Sequence, residues 1–477
     1  MNRRTFLQRS ILLAGAMTLD LSSFAEAVRQ MGKPLLKIGI LSDIHLRNHE
    51  DTAPLLKALE YFRDREADGV IIAGDMADFG LESQLQWVQE TWQQVFPKNK
   101  TPDGRHVEKI FVLGNHDMEG HHMGTFRKTY PDKIQQQAII DREAISNNPA
   151  RTWQSIFKEK WMPIGIKEIK GYYFVAAQYF NTNETPGLET FLEKNKNILM
   201  GDKPFFYVQH VHPKDTCSAP WVWGHDNGKS TQLLSRFPNA VSFTGHSHTT
   251  LTDERTIWQG DFTSVGTASL SYLIPFNGRE NTSTGGSRPG IAPQMPKISC
   301  QDGKQGQFMT VYDDCITLER HDFVYDQQLG DNWVLPLPNG REKPLSFDVR
   351  AKKAKAPQFA AGDKVTVSSA TGKDRNDKEQ AQITVHFPTV LKKRTGMRAF
   401  DYEVQAEVQD LDTHKIALTK RVFSKGYYLA ESQDEDEAVC VFSKDELPDD
   451  CNVRFIVRPY ECFGKHGNPI YSNWLKI

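Results

Sequence analysis

Five short polar blocks hold the residues of this sequence that could do chemistry. In chain order they read Asp43-Ile44-His45, Gly74-Asp75-Met76-Ala77-Asp78, Gly114-Asn115-His116-Asp117, a lone His210, and Gly245-His246-Ser247-His248. They supply carboxylate, amide and imidazole donors. Mixed oxygen and nitrogen ligation suits Mn, Fe or Zn better than Ca or Mg. Two divalent ions about 3.5–4 Å apart can clamp a phosphoryl group and activate water near neutral pH. Such a pair needs a bridging carboxylate, for which Asp75 is the candidate. Taken singly, each block is weak, because D-x-H and G-D turns also occur at surface turns and helix caps. Their order and placement carry the weight.

Each block ends an apolar run. Leu35–Leu41, Gly69–Ala73 and Lys109–Leu113 read as buried strands, with helical patterns after Leu55 and over about Glu82–Phe96. Strand, helix, strand, helix, strand implies parallel pairing with helical crossovers. Ligands gather at the carboxyl ends of strands in open α/β sheets, where these blocks lie. Residues 118–162 read as a polar, partly helical insertion near the site, a candidate lid. Strands resume at Gly171–Phe180, Pro204–Gln209, Ala240–Thr244, Thr256–Gln259 and Asp261–Val265. A Gly/Ser/Pro-rich loop covers Phe276–Pro293, and Gly306–Tyr312 with Cys315–Phe323 reads as a closing hairpin.

The five blocks in this order resemble the calcineurin-like metallophosphoesterase family, whose pattern is D-x-H, GD-x-x-D, GNH-D/E, a lone His and GH-x-H. The resemblance spans about residues 34–325. It implies an α/β fold, a four-layer α/β/β/α sandwich. It also implies two divalent metal ions (Mn, Fe or Zn). Asp43, His45 and His248 would hold one, Asn115, His210 and His246 the other, and Asp75 would bridge them. His116 would face the substrate as a non-ligand, and Asp117 would orient His116. Asp78 either supports the site or caps the following helix. Val208-Gln209-His210-Val211-His212 offers two histidines; a strand ending at Gln209 favours His210. The implied reaction is hydrolysis of a phosphate ester by a metal-bridging hydroxide with His116 assisting, a phosphodiester favoured over a monoester. Purple-acid-phosphatase-like members carry a ligand Tyr after the GD block, where this sequence has Met76-Ala77-Asp78-Phe79. The substrate would be small: a nucleotide, a phospholipid head group or a sugar phosphate. The alternative is a cell-surface binding protein with a structural dimetal centre.

The 477-residue length predicts more than one domain. A formal net charge of −2 gives no basic field for nucleic acid or an anionic membrane. The start, with Arg3-Arg4-Thr5-Phe6-Leu7, an apolar middle and Ala25-Glu26-Ala27, reads as a signal peptide over residues 1–27 of twin-arginine type. Export to the periplasm or exterior follows, with no transmembrane segment. Residues 326–357, proline-bearing and with the basic run Arg350–Lys355, read as a linker whose charges are solvated. Residues 358–477 read as an all-β sandwich loosely resembling a fibronectin type III domain, open to packing on the enzyme, dimerising or binding a surface. Six cysteines without a C-x-x-C pair leave disulfides and free thiols both open.

Overall fold

A computed structural model describes residues 32–180, 185–217, 224–274, 303–373, 378–410 and 413–477. The expected export signal, the loop 276–293 and Cys300 lie outside the described residues. The described cysteines are free thiols.

Two mixed sheets pack face to face. The first is built on β1 (Leu36–Leu41), β2 (Gly69–Ala73) and β3 (Glu108–Val112), paired in parallel. The second contains β4 (Ile164–Ile169), β5 (Tyr172–Ala177), β6 (Phe205–Val208), β7 (Ala240–Thr244), β8 (Ile257–Gln259) and β9 (Thr263–Gly266), in the order β4-β5-β6-β7-β9-β8. The hairpin β10 (Gln305–Val311) and β11 (Cys315–Asp322) joins the first sheet antiparallel to β1. Strands β1, β2 and β3 read as near-continuous apolar runs because both faces are covered. Ile38, Ile40, Ile71 and Val112 meet Phe174, Phe206, Val208 and Phe243 of the second sheet in one core. Leu41, Val70, Ile72 and Phe111 face outward under the helices α1 (Ala53–Asp64) and α2 (Glu82–Val95). Helices α3 (Asn115–Glu119), α4 (Gly124–Thr129), α5 (Lys133–Glu143) and α6 (Pro149–Phe157) make up the insertion. Helices α7 (Leu188–Lys194) and α8 (Lys229–Leu234) cover the second sheet through Leu188, Leu192, Leu233 and Leu234. The result is the four-layer α/β/β/α sandwich. Strand β4, absent from the sequence reading, has only one well-buried residue at each end, so its apolar alternation is faint.

The stretch 326–357 is not a free linker. After β12 (Gln327–Gln328), β13 (Trp333–Pro336) pairs with β11 and turns Trp333 and Leu335 inward. Alternate residues face the core, a period-2 signal that the prolines and charges obscured. The helix α9 (Phe347–Lys353) brings Arg350 against the carbonyl oxygens of Glu254 and Ile257, so its charge is not solvated. Lys352 and Lys353 do remain exposed.

The C-terminal region is an all-β domain. Strands β14 (Thr366–Lys373), β15 (Glu379–Pro388) and β18 (Glu437–Ser443) form one sheet. Strands β16 (Asp401–Asp410), β17 (Thr413–Phe423), β19 (Asn452–Tyr460), β20 (Ile470–Tyr471) and β21 (Leu475–Lys476) form the other. Val385, Phe387 and Phe442 meet Tyr402, Val404, Phe455 and Val457 between them. This domain also shares the core between the two sheets of the first domain, to which it adds Phe400, Phe423, Tyr427 and Leu429. Asp253 and Arg255 form a fully buried ion pair at that seam, and the Tyr427 hydroxyl donates to Asp253 Oδ2 at 2.6 Å. The Arg255 guanidinium lies 4.8 Å from the Phe400 ring centroid.

Removing one donor from a buried carboxylate leaves it under-satisfied. Tyr427→Phe is therefore expected to cost about 1–3 kcal/mol, measured by urea denaturation. A cost near zero would show that the seam does not depend on this bond.

Candidate metal centre

The five blocks meet where the carboxyl ends of β1, β2 and β3 face those of β6 and β7. Backbone bonds extend the pairing past the strands: Asp43 N–H donates to Gly74 O at 2.9 Å, and Gly245 N–H to His210 O at 2.9 Å. Beyond these points the chain turns abruptly. Asp43, His45, Asp75, His246 and His248 all have φ between 51° and 66°. Such left-handed backbone is uncommon outside glycine and concentrates at functional sites. Here it turns residues i and i+2 of one block toward the same centre.

The side chains gather in two groups. In the first, His248 Nε2 lies 3.0 Å from Asp43 Oδ1 and 3.1 Å from His45 Nε2. In the second, His210 Nε2 lies 3.1 Å from Asp75 Oδ2 and 2.9 Å from Asn115 Oδ1, with His246 completing a set of possible ligand atoms. Asp75 Oδ2 is also 3.8 Å from His45 Nε2, so Asp75 lies between the groups.

The distal ring nitrogens decide what these groups can hold. His248 Nδ1 is 2.8 Å from Tyr272 O, and His210 Nδ1 is 2.8 Å from Ala73 O. A carbonyl only accepts, so each Nδ1 carries the proton and each Nε2 presents a lone pair inward. His45 Nδ1 is matched likewise to Asp78 Oδ1 at 3.0 Å. Lone pairs of imidazole, carboxylate and amide oxygen thus converge within hydrogen-bonding distance of one another. That arrangement needs a cation between them, and this outer shell is the usual one for metal-ligating histidines. The donor set fits divalent metal ions.

The titration behaviour of the groups agrees. Burial opposes charge on His45, yet Asp43 and Asp78 raise it to about 10. Burial likewise opposes His210, and Asp75 raises it to about 9. Asp43 and Asp75 lie below the carboxylate range despite burial, held there chiefly by His248 and His210 respectively. The centre is a negative well that protons fill where metal would sit. His246 is the exception, lowered to about 3 by burial and by the charge of His210.

Glycines allow this crowding. A Cβ on Gly74 would collide with the His210 ring, one on Gly114 with Asp75, and one on Gly245 with Asp43. Each block's glycine therefore makes room for a ligand from another block.

Two expected roles change. Asp117 does not orient His116. Its fully buried carboxylate accepts from the backbone N–H groups of Ala77 (2.7 Å), Gly114 (2.8 Å) and Met76 (3.3 Å), tying the second block to the third. Burial and the neighbouring Asp75 raise it to about 7. The partner of His116 is Asp78: His116 Nδ1 lies 3.0 Å from its carbonyl and 3.3 Å from Oδ1. Asp78 also accepts from Arg47 Nε at 2.7 Å and does not cap α2, which starts after Leu81. The family resemblance implied the adjacent Asp117, but α3 begins at Asn115 and directs the two side chains apart. Of the paired histidines, His210 enters the centre, whereas both ring nitrogens of buried His212 lack a hydrogen-bond partner among the described residues. Tyr272, whose ring centroid is 4.3 Å from that of His248, had no motif to mark it.

Residues 36–250 match the family model described as calcineurin-like phosphoesterase. The chain therefore contains a calcineurin-like phosphoesterase domain, in the metallophosphoesterase α/β fold, which with its ligand clusters points to metal-dependent hydrolysis of small phosphate esters. Among solved structures, one match is purple acid phosphatase PPD1 from yellow lupin, at 12% identity and TM-score 0.37, covering 64% of this chain and 55% of that one. Another is GAP50 of Plasmodium, at 10% identity and TM-score 0.34, covering 65% and 90%. A third is a conserved uncharacterised protein of Streptococcus pneumoniae, described as a predicted phosphoesterase, at 11% identity and TM-score 0.25, covering 63% and 97%. Among curated proteins none matches. Among the described residues, no helix is long and apolar enough to cross a membrane.

Two outcomes test the centre. Gly245→Ala should weaken divalent-metal binding by about 10–100-fold, read by calorimetric titration, with the far-UV spectrum unchanged; undiminished binding would refute the crowding argument. The second concerns pH. His45 and His210 have raised values, so their protonated forms stabilise metal-free protein fully below about pH 6.5. That stability is lost as pH rises through about 9 and 10. Asp117, raised to about 7, acts in the same direction at lower pH. Chelator-treated protein should melt at falling temperature from pH 6.5 to 9, and added Mn or Zn should reverse the fall. Flat melting temperatures across that range would contradict the negative well.

Proposed function

We propose that this protein is a dimetal phosphoesterase acting on a phosphodiester in preference to a monoester. The observation that supports this most is the position of His116. Its ring centroid lies 4.4 Å from that of His45, edge to face, yet 18% of its side chain is exposed, against 1% for His45 and 0% for His210. A structural centre has no use for an accessible imidazole beside buried ligands.

Asp43, His45 and His248 would hold one ion, Asn115, His210 and His246 the other, with Asp75 between them. Bound divalent ions supply an activated water and neutralise phosphoryl oxygens. The chain's own residues do the rest. His116 Nδ1–H donates to Asp78, which leaves Nε2 for the substrate. Burial opposes charge on His116, but Asp78 and Asp75 raise its pKa above the ordinary imidazole value. A protonated imidazole there can stabilise a phosphoryl oxygen or protonate the departing alkoxide. Arg47 braces Asp78 from outside and fixes that relay. We further propose export through the amino-terminal signal, and a fibronectin type III-like module at residues 358–477.

The rival reading, a surface-binding protein with a structural metal pair, predicts that His116 is dispensable. The test uses Mn- or Zn-loaded protein on bis-p-nitrophenyl and p-nitrophenyl phosphate. We expect the diester to turn over faster and chelator to abolish turnover. His116→Ala should lower kcat by about 10²–10⁴-fold with metal content unchanged. Equal rates for variant and parent would sink the assigned role. No turnover of either ester with metal present would favour the rival.

A further inference from the structure

Beside the centre lies a cavity of about 450 Å³ lined by Met118, Glu119, His122, Met123, Ser146 and Phe180. Its volume falls in the range of small-molecule sites. Met118 and Glu119 lie on α3, whose first residues are Asn115 and His116, so the cavity opens one helical turn from the catalytic imidazole. On the other side, Phe180 also borders a narrow cleft lined by Tyr179 and His210. The Tyr179 ring is 6.5 Å from that of His210, and its hydroxyl bonds Glu119. The cavity and the centre are thus joined through both α3 and Tyr179.

The lining is selective. Two thioethers and a phenyl ring give an apolar, polarisable wall of the kind that seats alkyl groups and accepts cations against an aromatic face. The carboxylate of Glu119 is held in place by Tyr179. Among the described residues the lining holds one carboxylate, that of Glu119, and no lysine or arginine, with His122 as its imidazole. We propose that this cavity seats the organic group of the ester, and that this group is mainly apolar and positively charged, as in an aminoalkyl or quaternary-ammonium alcohol. Glu119 is its specificity residue. The proposal rests on the hydrolase reading above and deepens it toward cationic phosphodiesters and away from polyanionic nucleotides.

The decisive pair of probes differs only in charge: p-nitrophenyl phosphorylcholine and its carbon isostere, p-nitrophenyl 3,3-dimethylbutyl phosphate. With Mn-loaded protein, kcat/KM for the choline ester should exceed that for the isostere by about tenfold, the scale of one partly screened ion pair. In Glu119→Gln the ratio should fall below about twofold, since the same shape remains without the charge. Equal rates for the two esters in the parent protein, or a preference that survives in Glu119→Gln, would overturn the proposal and leave the hydrolase reading standing. If neither ester turns over while bis-p-nitrophenyl phosphate does, the proposal is overturned and the hydrolase reading stands; if bis-p-nitrophenyl phosphate also resists, the hydrolase reading fails. Calorimetric binding of phosphocholine against 3,3-dimethylbutyl phosphate, in parent and Glu119→Gln, then judges the cavity alone. Tighter phosphocholine binding that needs Glu119 supports it, and equal binding refutes it.

Discussion

Imidazole nitrogens 3.1 Å apart, each protonated on its far side, turn lone pairs toward each other between the ends of two sheets. Without a proton or a metal ion there, that arrangement is repulsive, and the carboxylates of Asp43 and Asp75 add negative charge to it. A cation removes the conflict, and the rest of the domain holds the lone pairs in place until one binds. The first sheet supplies Asp43, His45, Asp75 and Asn115, and the second supplies His210, His246 and His248. Neither sheet alone carries the whole candidate set, so the packing of Ile40, Ala73 and Val112 against Val208 and Phe243 also sets its geometry.

Holding the ligands costs conformational energy. Five of them sit on left-handed backbone, at about 1–3 kcal/mol for each strained residue. A buried hydroxyl network offsets part of this. Ser42 donates to the Asp43 carboxylate, Thr267 donates to Ser42 at 2.6 Å, and Ser269 donates to Asp43 O at 3.0 Å. Asp43 itself accepts from the His246 N–H at 3.1 Å, so one carboxylate both faces the centre and locks the opposite loop. Asp117 does the equivalent between the second and third blocks.

The C-terminal domain is part of this support. The chain leaving His248 runs through Thr250 and Leu251 into the buried Asp253–Arg255 pair, which Tyr427 and Phe400 close from the other domain. Gln305 accepts from the Leu251 N–H at 2.8 Å and donates to Tyr428 O at 3.0 Å. Arg320 and Arg350 converge on Glu254 beside it. A loop that carries two candidate ligands is thus clamped between domains, which separates this seam from a flexible tether.

The sequence by itself determined the ligand blocks, their strand-end positions, the βαβ order and the all-β character of the C-terminus. These depend on local patterns: apolar runs, periodicity and short motifs whose residues act together wherever the strands bring them. The tertiary structure alone decided the relations between blocks. It chose Asp78 over the adjacent Asp117 as the partner of His116, because a helix start directs neighbours apart. It placed Arg350 in a buried seam, because a partner carbonyl cannot be read from a basic run. It made Gly74, Gly114 and Gly245 necessary through collisions with His210, Asp75 and Asp43, residues 39 to 202 positions away. It also put Glu119 and Phe180, far apart in sequence, around one cavity. Contacts of that kind depend on how two sheets and an insertion pack, and no local pattern encodes a distance between segments that meet only when the chain has folded.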